Sequence, residues 1–279
     1  MKFKIIIFLL MIGFSQGCRN LYRDFGDKTS DDYLITQARF DLDALDFDAA
    51  ISRISPVLVS QPTNAEVVYL AAAAHAGKAG LRVMDLFLQF SSISSNGLIP
   101  TLADHFGATT DDDVAQIEEA ISIIETYDAD PTTRGAHLNF FSVFLYFSRI
   151  GAISARYAYD TSGVLDATFD NCRNTDEGGY LGIPDASIDS LIDAFVKLGP
   201  AIANSGSSAF SSVGSAIDAL GISAPGTSCD TSKNGAMCLI VRDMLGAGPL
   251  GTPPGIGFNI SAVPPKPADD INVCVTVLP

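Results

Sequence analysis

The sequence predicts an all-α protein: antiparallel helix pairs in a bundle or short solenoid, ending in an extended Pro/Gly-rich C-terminal segment. Three observations predict it. From Asp31 onward apolar residues recur every three or four positions, which is the spacing of one helical face. The stretches with this spacing begin after Ser, Thr, Asp or Asn and stop at Gly or Pro, the residues that cap and end helices. Against them stands a single strand candidate, VCVTV at residues 273–277.

The first helical stretch is DDYLITQARFDLDALD. Leu34, Ala38, Leu42 and Leu45 share a face there, and Ser30 or Asp31 serves as the cap. FDAAISRISPVLVSQP places Ala50, Ile54, Val57 and Leu58 together. Pro56 removes a backbone donor and should kink this helix, and Pro62 ends it. Asn64 opens the alanine-rich EVVYLAAAAHAGKA, Gly80 stops it, and LRVMDLFLQFSSI forms a fourth helix. A loop with Gly97 and Pro100 comes next. Thr110 then caps DDDVAQIEEAISIIETYD, whose buried stripe is Val114, Ile117, Ile121 and Ile124. Asp111, Asp112 and Asp113 lie in its first turn, where the helix dipole favours negative charge; this explains them without a metal.

Pro131 separates that helix from the most apolar internal stretch. Residues 138–153 are hydrophobic around nearly the whole circumference, which predicts a central buried helix. As a membrane span the run is short, and Arg149 interrupts it. Residues 160–184 read as loop. Asp185 caps ASIDSLIDAFVKLG, and Pro200 breaks or kinks the chain just after it. SSAFSSVGSAIDALG is a weaker amphipathic helix, and Asn234 or Ser232 starts NGAMCLIVRDMLG. The organisation is therefore a leader over 1–17, a tether over 18–30, a helical domain over 31–246 and an extended segment over 247–279, which should lie across the helical body.

The leader carries Lys2 and Lys4 and then ten apolar residues, 5–14. A helix of that length spans about 15 Å, half of the roughly 30 Å hydrocarbon core, so the run reads as a secretory signal and not as a span. Ser15 and Gly17 are the small residues a signal peptidase reads, and cleavage falls before Cys18. A small residue preceding cysteine at this place resembles the bacterial lipoproteins, although Ser15 stands where that family usually has leucine. The resemblance implies that Cys18 receives a diacylglycerol and becomes the mature N-terminus. Arg19 stands where an Asp would imply inner-membrane retention, so the implied location is the outer membrane of a bacterial envelope.

Cysteine parity agrees. With Cys18 lipidated, Cys172, Cys229, Cys238 and Cys274 remain, an even number suited to two disulfides in an oxidising compartment. Cys229 with Cys238 would close a local loop, and Cys172 with Cys274 would tie the extended segment down. Four cysteines allow three connectivities, and spacing does not choose among them. Their spacing does not suit zinc, and no histidine lies close to them.

Without residues 1–17 the chain has 15 basic and 32 acidic residues, a net charge of −17. Nucleic-acid binding is excluded, because phosphate neutralisation needs clustered Lys and Arg. The same charge repels anionic membrane surfaces, so membrane attachment should come from the lipid. Of the acids, 27 are Asp, which favours capped helices and turns.

Ala38, Ala50, Ile54, Val57 and Pro62 fall at the spacing of tetratricopeptide (TPR) repeats, and the stretch over residues 31–95 resembles that family. One repeat length further on, Ala72 keeps a small residue and Met84 does not. A plain antiparallel helical hairpin is the alternative. Together, the lipoprotein start and the helical repeats are similar to the T-component lipoproteins of TRAP transporter systems. That resemblance implies an apolar small-molecule ligand, with Phe140, Phe141, Phe144, Tyr146 and Phe147 lining its cavity. Core packing is the simpler role for such a stripe.

No nucleophile elbow, Walker loop, metalloprotease helix or Cys-x-x-Cys motif occurs, and no metal or cofactor site is read. His75, His105 and His137 fall on different elements. Asp170, Asn171, Asn174, Asp176 and Glu177 offer calcium-friendly oxygens without EF-hand spacing. The expectation is a non-enzymatic envelope lipoprotein, attached to the membrane by its lipid, that scaffolds a protein partner. The alternative is a lipoprotein that binds a small apolar ligand.

Overall fold

The computed structural model describes residues 28–90, 98–166, 169 and 181–210. They form eight α-helices: α1 (Asp31–Asp43), α2 (Phe47–Ser60), α3 (Ala65–Lys78), α4 (Val83–Phe90), α5 (Leu98–Phe106), α6 (Asp111–Tyr127), α7 (Ala136–Tyr157) and α8 (Asp185–Asn204). A single 3-10 turn, Ser208–Phe210, comes after them. The architecture is all-α, and extended pairing among the described residues is limited to the isolated bridges Tyr159–Leu165 and Phe169–Leu181. The expected helix SSAFSSVGSAIDALG starts instead as that 3-10 turn; its remainder beyond Phe210, the helix NGAMCLIVRDMLG, the extended C-terminal segment and all five cysteines lie outside the described residues.

The first three helices pack on one another in sequence, and α1 also touches α3. Ser30 caps α1 by accepting the Tyr33 N–H at its hydroxyl. Ala38 is fully sealed and Leu34 and Leu42 are half-buried, as the spacing predicts. Leu45 corrects that reading. The helix stops at Asp43, and Leu45 takes a left-handed φ of 60° in the turn, with its side chain 62 % exposed. The turn leaves Asp46 free to cap α2 by accepting the Ala49 N–H at 3.2 Å. Pro56 lies inside α2, which runs on to Ser60, two residues before Pro62. It sits on the exposed side, where water can reach the Ser52 carbonyl that loses its donor.

α3 joins α1 and α2 to α6. Its alanines let α2 approach from one side and α6 from the other, and Ala71, Ala72, Ala74 and Ala76 are buried in the process. It ends in a Schellman arrangement: Leu81 N–H bonds the Ala76 carbonyl at 2.9 Å and Gly80 N–H the Gly77 carbonyl at 3.0 Å. Gly80 has φ +91°, a conformation that glycine adopts without strain.

Residues 98–106 also differ from expectation. The loop expected around Gly97 and Pro100 is the helix α5 from Leu98 onward. Pro100 lies in its first turn, where no intrahelical donor is needed. Leu98, Ile99, Leu102 and Ala103 are buried, and α5 packs closely on α7. Gly151 makes the approach possible, because a Cβ there would stand 2.9 Å from the Leu102 carbonyl oxygen.

α6 opens with a complete capping box. The Thr110 hydroxyl accepts the Asp113 N–H at 3.2 Å, and the Asp113 carboxylate accepts the Thr110 N–H at 2.8 Å. Thr110→Ala should therefore lower stability by about 1 kcal/mol. A shift of the urea midpoint without a change of slope would show it, and an unchanged midpoint would mean that the cap contributes nothing. At the other end Arg134, nearly sealed, donates from Nε and Nη2 to the Asp128 carbonyl and from Nη1 to Ser142 Oγ. A cation thereby meets the negative end of α6 and fixes the turn into α7.

α7 is the centre. Between residues 138 and 153 only Phe140 is not fully buried, as its all-round hydrophobicity predicts. It is long and apolar enough to cross a membrane, yet 94 % of its most apolar stretch is buried inside the molecule. α5, α6 and α8 surround it. The cap of α8 also needs correcting: Asp185 is its first helical residue and Pro184 is the N-cap. Pro200 does not break α8, which continues to Asn204. Beyond it Phe210 returns to the core.

Candidate functional site

A guanidinium in the middle of the most apolar helix needs an explanation, because burying a charge is costly without partners. Arg149 of α7 is 6 % exposed. Its Nη2 donates to Glu118 Oε2 of α6 at 2.5 Å, and its Nη1 donates to Asp193 Oδ2 of α8 at 2.5 Å. Nη1 also reaches the Ser190 carbonyl at 3.4 Å. One α8 turn further on, Lys197 Nζ lies 2.8 Å from Asp193 Oδ1 and 2.8 Å from both Glu125 oxygens. Tyr146 closes the chain of contacts by donating its hydroxyl to Glu125 Oε1 at 3.1 Å.

Three helices are thus stitched by one network of two cations and three carboxylates. Burial opposes the Arg149 charge, but the Glu118 and Asp193 carboxylates outweigh it and hold its pKa above the ordinary value. Burial, with the Glu125 charge added, raises the Tyr146 pKa as well. Tyr159 is raised by burial alone. Both phenols are neutral acids whose folded-state pKa lies above the unfolded one. Their stabilising effect is present below the ordinary value of 10.0 and is lost as pH rises beyond it. An absorbance titration should therefore show Tyr146 and Tyr159 ionising only together with unfolding. Titration of both near the ordinary value in a chain that keeps its helicity would contradict this.

A groove of about 390 Å³ opens over this network. Glu118, Ser122, Glu125 and Thr126 line it along one face of α6, Ala129 extends it, and Arg149 contributes from α7. The charged groups facing it already hold one another, so what the arrangement does chemically is join helices across a polar cleft.

The five aromatic residues read as a cavity wall lie away from this groove. Phe141, Phe144, Tyr146 and Phe147 are buried and Phe140 is half-buried. Phe210 packs against the rings of Phe140, Phe144 and Phe147 at centroid distances of 6.0, 5.5 and 6.1 Å. Phe141 meets Tyr69 edge-on at 5.0 Å. They are packed into the hydrophobic core, and none of them lines the groove.

The histidines stay on separate helices. His75 Nδ1 is 2.8 Å from Gln116 Oε1, linking α3 to α6. The His105 ring stands edge-on to Phe106, and burial lowers its pKa. His137 is exposed. Among the described residues no group of three or more His, Cys, Asp or Glu could hold a metal ion. Cys18, the disulfide candidates Cys172, Cys229, Cys238 and Cys274, and the oxygen-rich run from Asp170 to Glu177 fall outside the described residues.

Sequence reasoning treats Arg149 as an interruption of an apolar run and does not single out Glu118, Asp193 or Lys197. The available signal was Arg149 itself, since a lone arginine in a buried helix requires acids on its neighbours. The fold and its partly buried network define a class: an all-α protein of paired helices whose central helix is clamped by ion pairs. No protein-family model, curated protein or solved structure matches this chain.

Proposed function

We propose that this chain is a non-enzymatic envelope lipoprotein, anchored in the outer membrane through a diacylglycerol on Cys18, whose helix pairs scaffold a protein partner. The anchor rests on the short apolar leader ending in Gly17 and Cys18. The observation that supports the scaffold reading is the combination, among the described residues, of a packed aromatic row with large apolar side chains exposed on the first helices. The row from Phe140 to Phe147 is filled by its own neighbours and by Phe210. Phe40 on α1 and Met84 on α4 are 61 % and 68 % exposed, and Tyr69 on α3 is partly so. The alternative is a TRAP T-component-like lipoprotein holding a small apolar ligand. Among the described residues the rings pack on one another, and the exposed apolar side chains on α1, α3 and α4 are where a protein partner would be met.

The test is crosslinking in the native envelope. A photoreactive residue replaces Phe40, Tyr69 or Met84 in the intact lipoprotein, and both protein and lipid adducts are identified. A discrete protein adduct from at least one position is expected. Adducts to lipid or small molecules alone would favour the alternative, and the absence of any adduct at all three positions would remove the scaffold reading.

A further inference from the structure

We draw no further inference here: the strongest candidate, the groove of about 390 Å³ over the Arg149 ion-pair network between α6 and α7, carries nothing because its two buried unpartnered atoms, Arg149 Nε and Glu118 Oε1, belong to side chains already bonded to each other through Nη2 and Oε2, so that a small turn of the carboxylate would satisfy both without a ligand.

Discussion

Arg149→Ala should lower the stability of the mature chain by about 3–5 kcal/mol, the range for removing one partner of a buried ion pair. The size comes less from lost attraction than from what remains. Glu118 and Asp193 would face each other across the position of a lost cation, with Lys197 as the nearest compensating charge. Both acids are partly open to water, which moderates the penalty and places the expected value toward the lower end. The loss should be largely reversed by removing the charges together, as in Arg149→Met with Glu118→Gln and Asp193→Asn, because a neutral cluster has no unpaired ion to desolvate. Urea unfolding monitored by circular dichroism measures both proteins. If Arg149→Ala unfolds at the parental midpoint, the network does not clamp the three helices.

Phe210→Ala should cost a similar amount, about 3–5 kcal/mol, by leaving a cavity where a fully buried aromatic ring stood. Phe210 comes after α8 in a single 3-10 turn, and its 1 % exposure shows how completely the core encloses it. It meets rings from two directions, Phe87 of α4 at 6.3 Å and the Phe140, Phe144 and Phe147 row of α7. The edge-to-face contacts with Phe87 and Phe144 add to simple area burial. Phe210→Leu should cost clearly less, because it refills most of the volume. Equal midpoints for Phe210→Ala and the parent would mean that the turn after α8 is not part of the cooperative core.

The helices were legible in the sequence where a cap, an apolar period and a breaker agreed. Thr110 with the Ile117, Ile121 and Ile124 stripe is one such case, and Asn64 with Gly80 is another. Leu45 failed because the apolar period continued past the point where the backbone turned. α5 was missed because Pro100 and Gly97 signal a loop, although proline is well tolerated in a first helical turn. The central burial of α7 could be read from its hydrophobicity alone. Its ion-pair network could not, because Glu118, Arg149 and Asp193 are brought together from three helices and share no local pattern. The aromatic stripe was legible as apolar surface, but whether it wraps a cavity or fills a core depends on Phe210, which is distant in sequence.

The most direct test of a lipid-anchored envelope protein is the intact mass of the mature chain extracted from native membranes, together with sequencing of its N-terminal peptide. A chain that starts at Cys18 and carries a diacylglycerol on that residue is expected. A free thiol at Cys18, or retention of residues 1–17, would contradict the proposal.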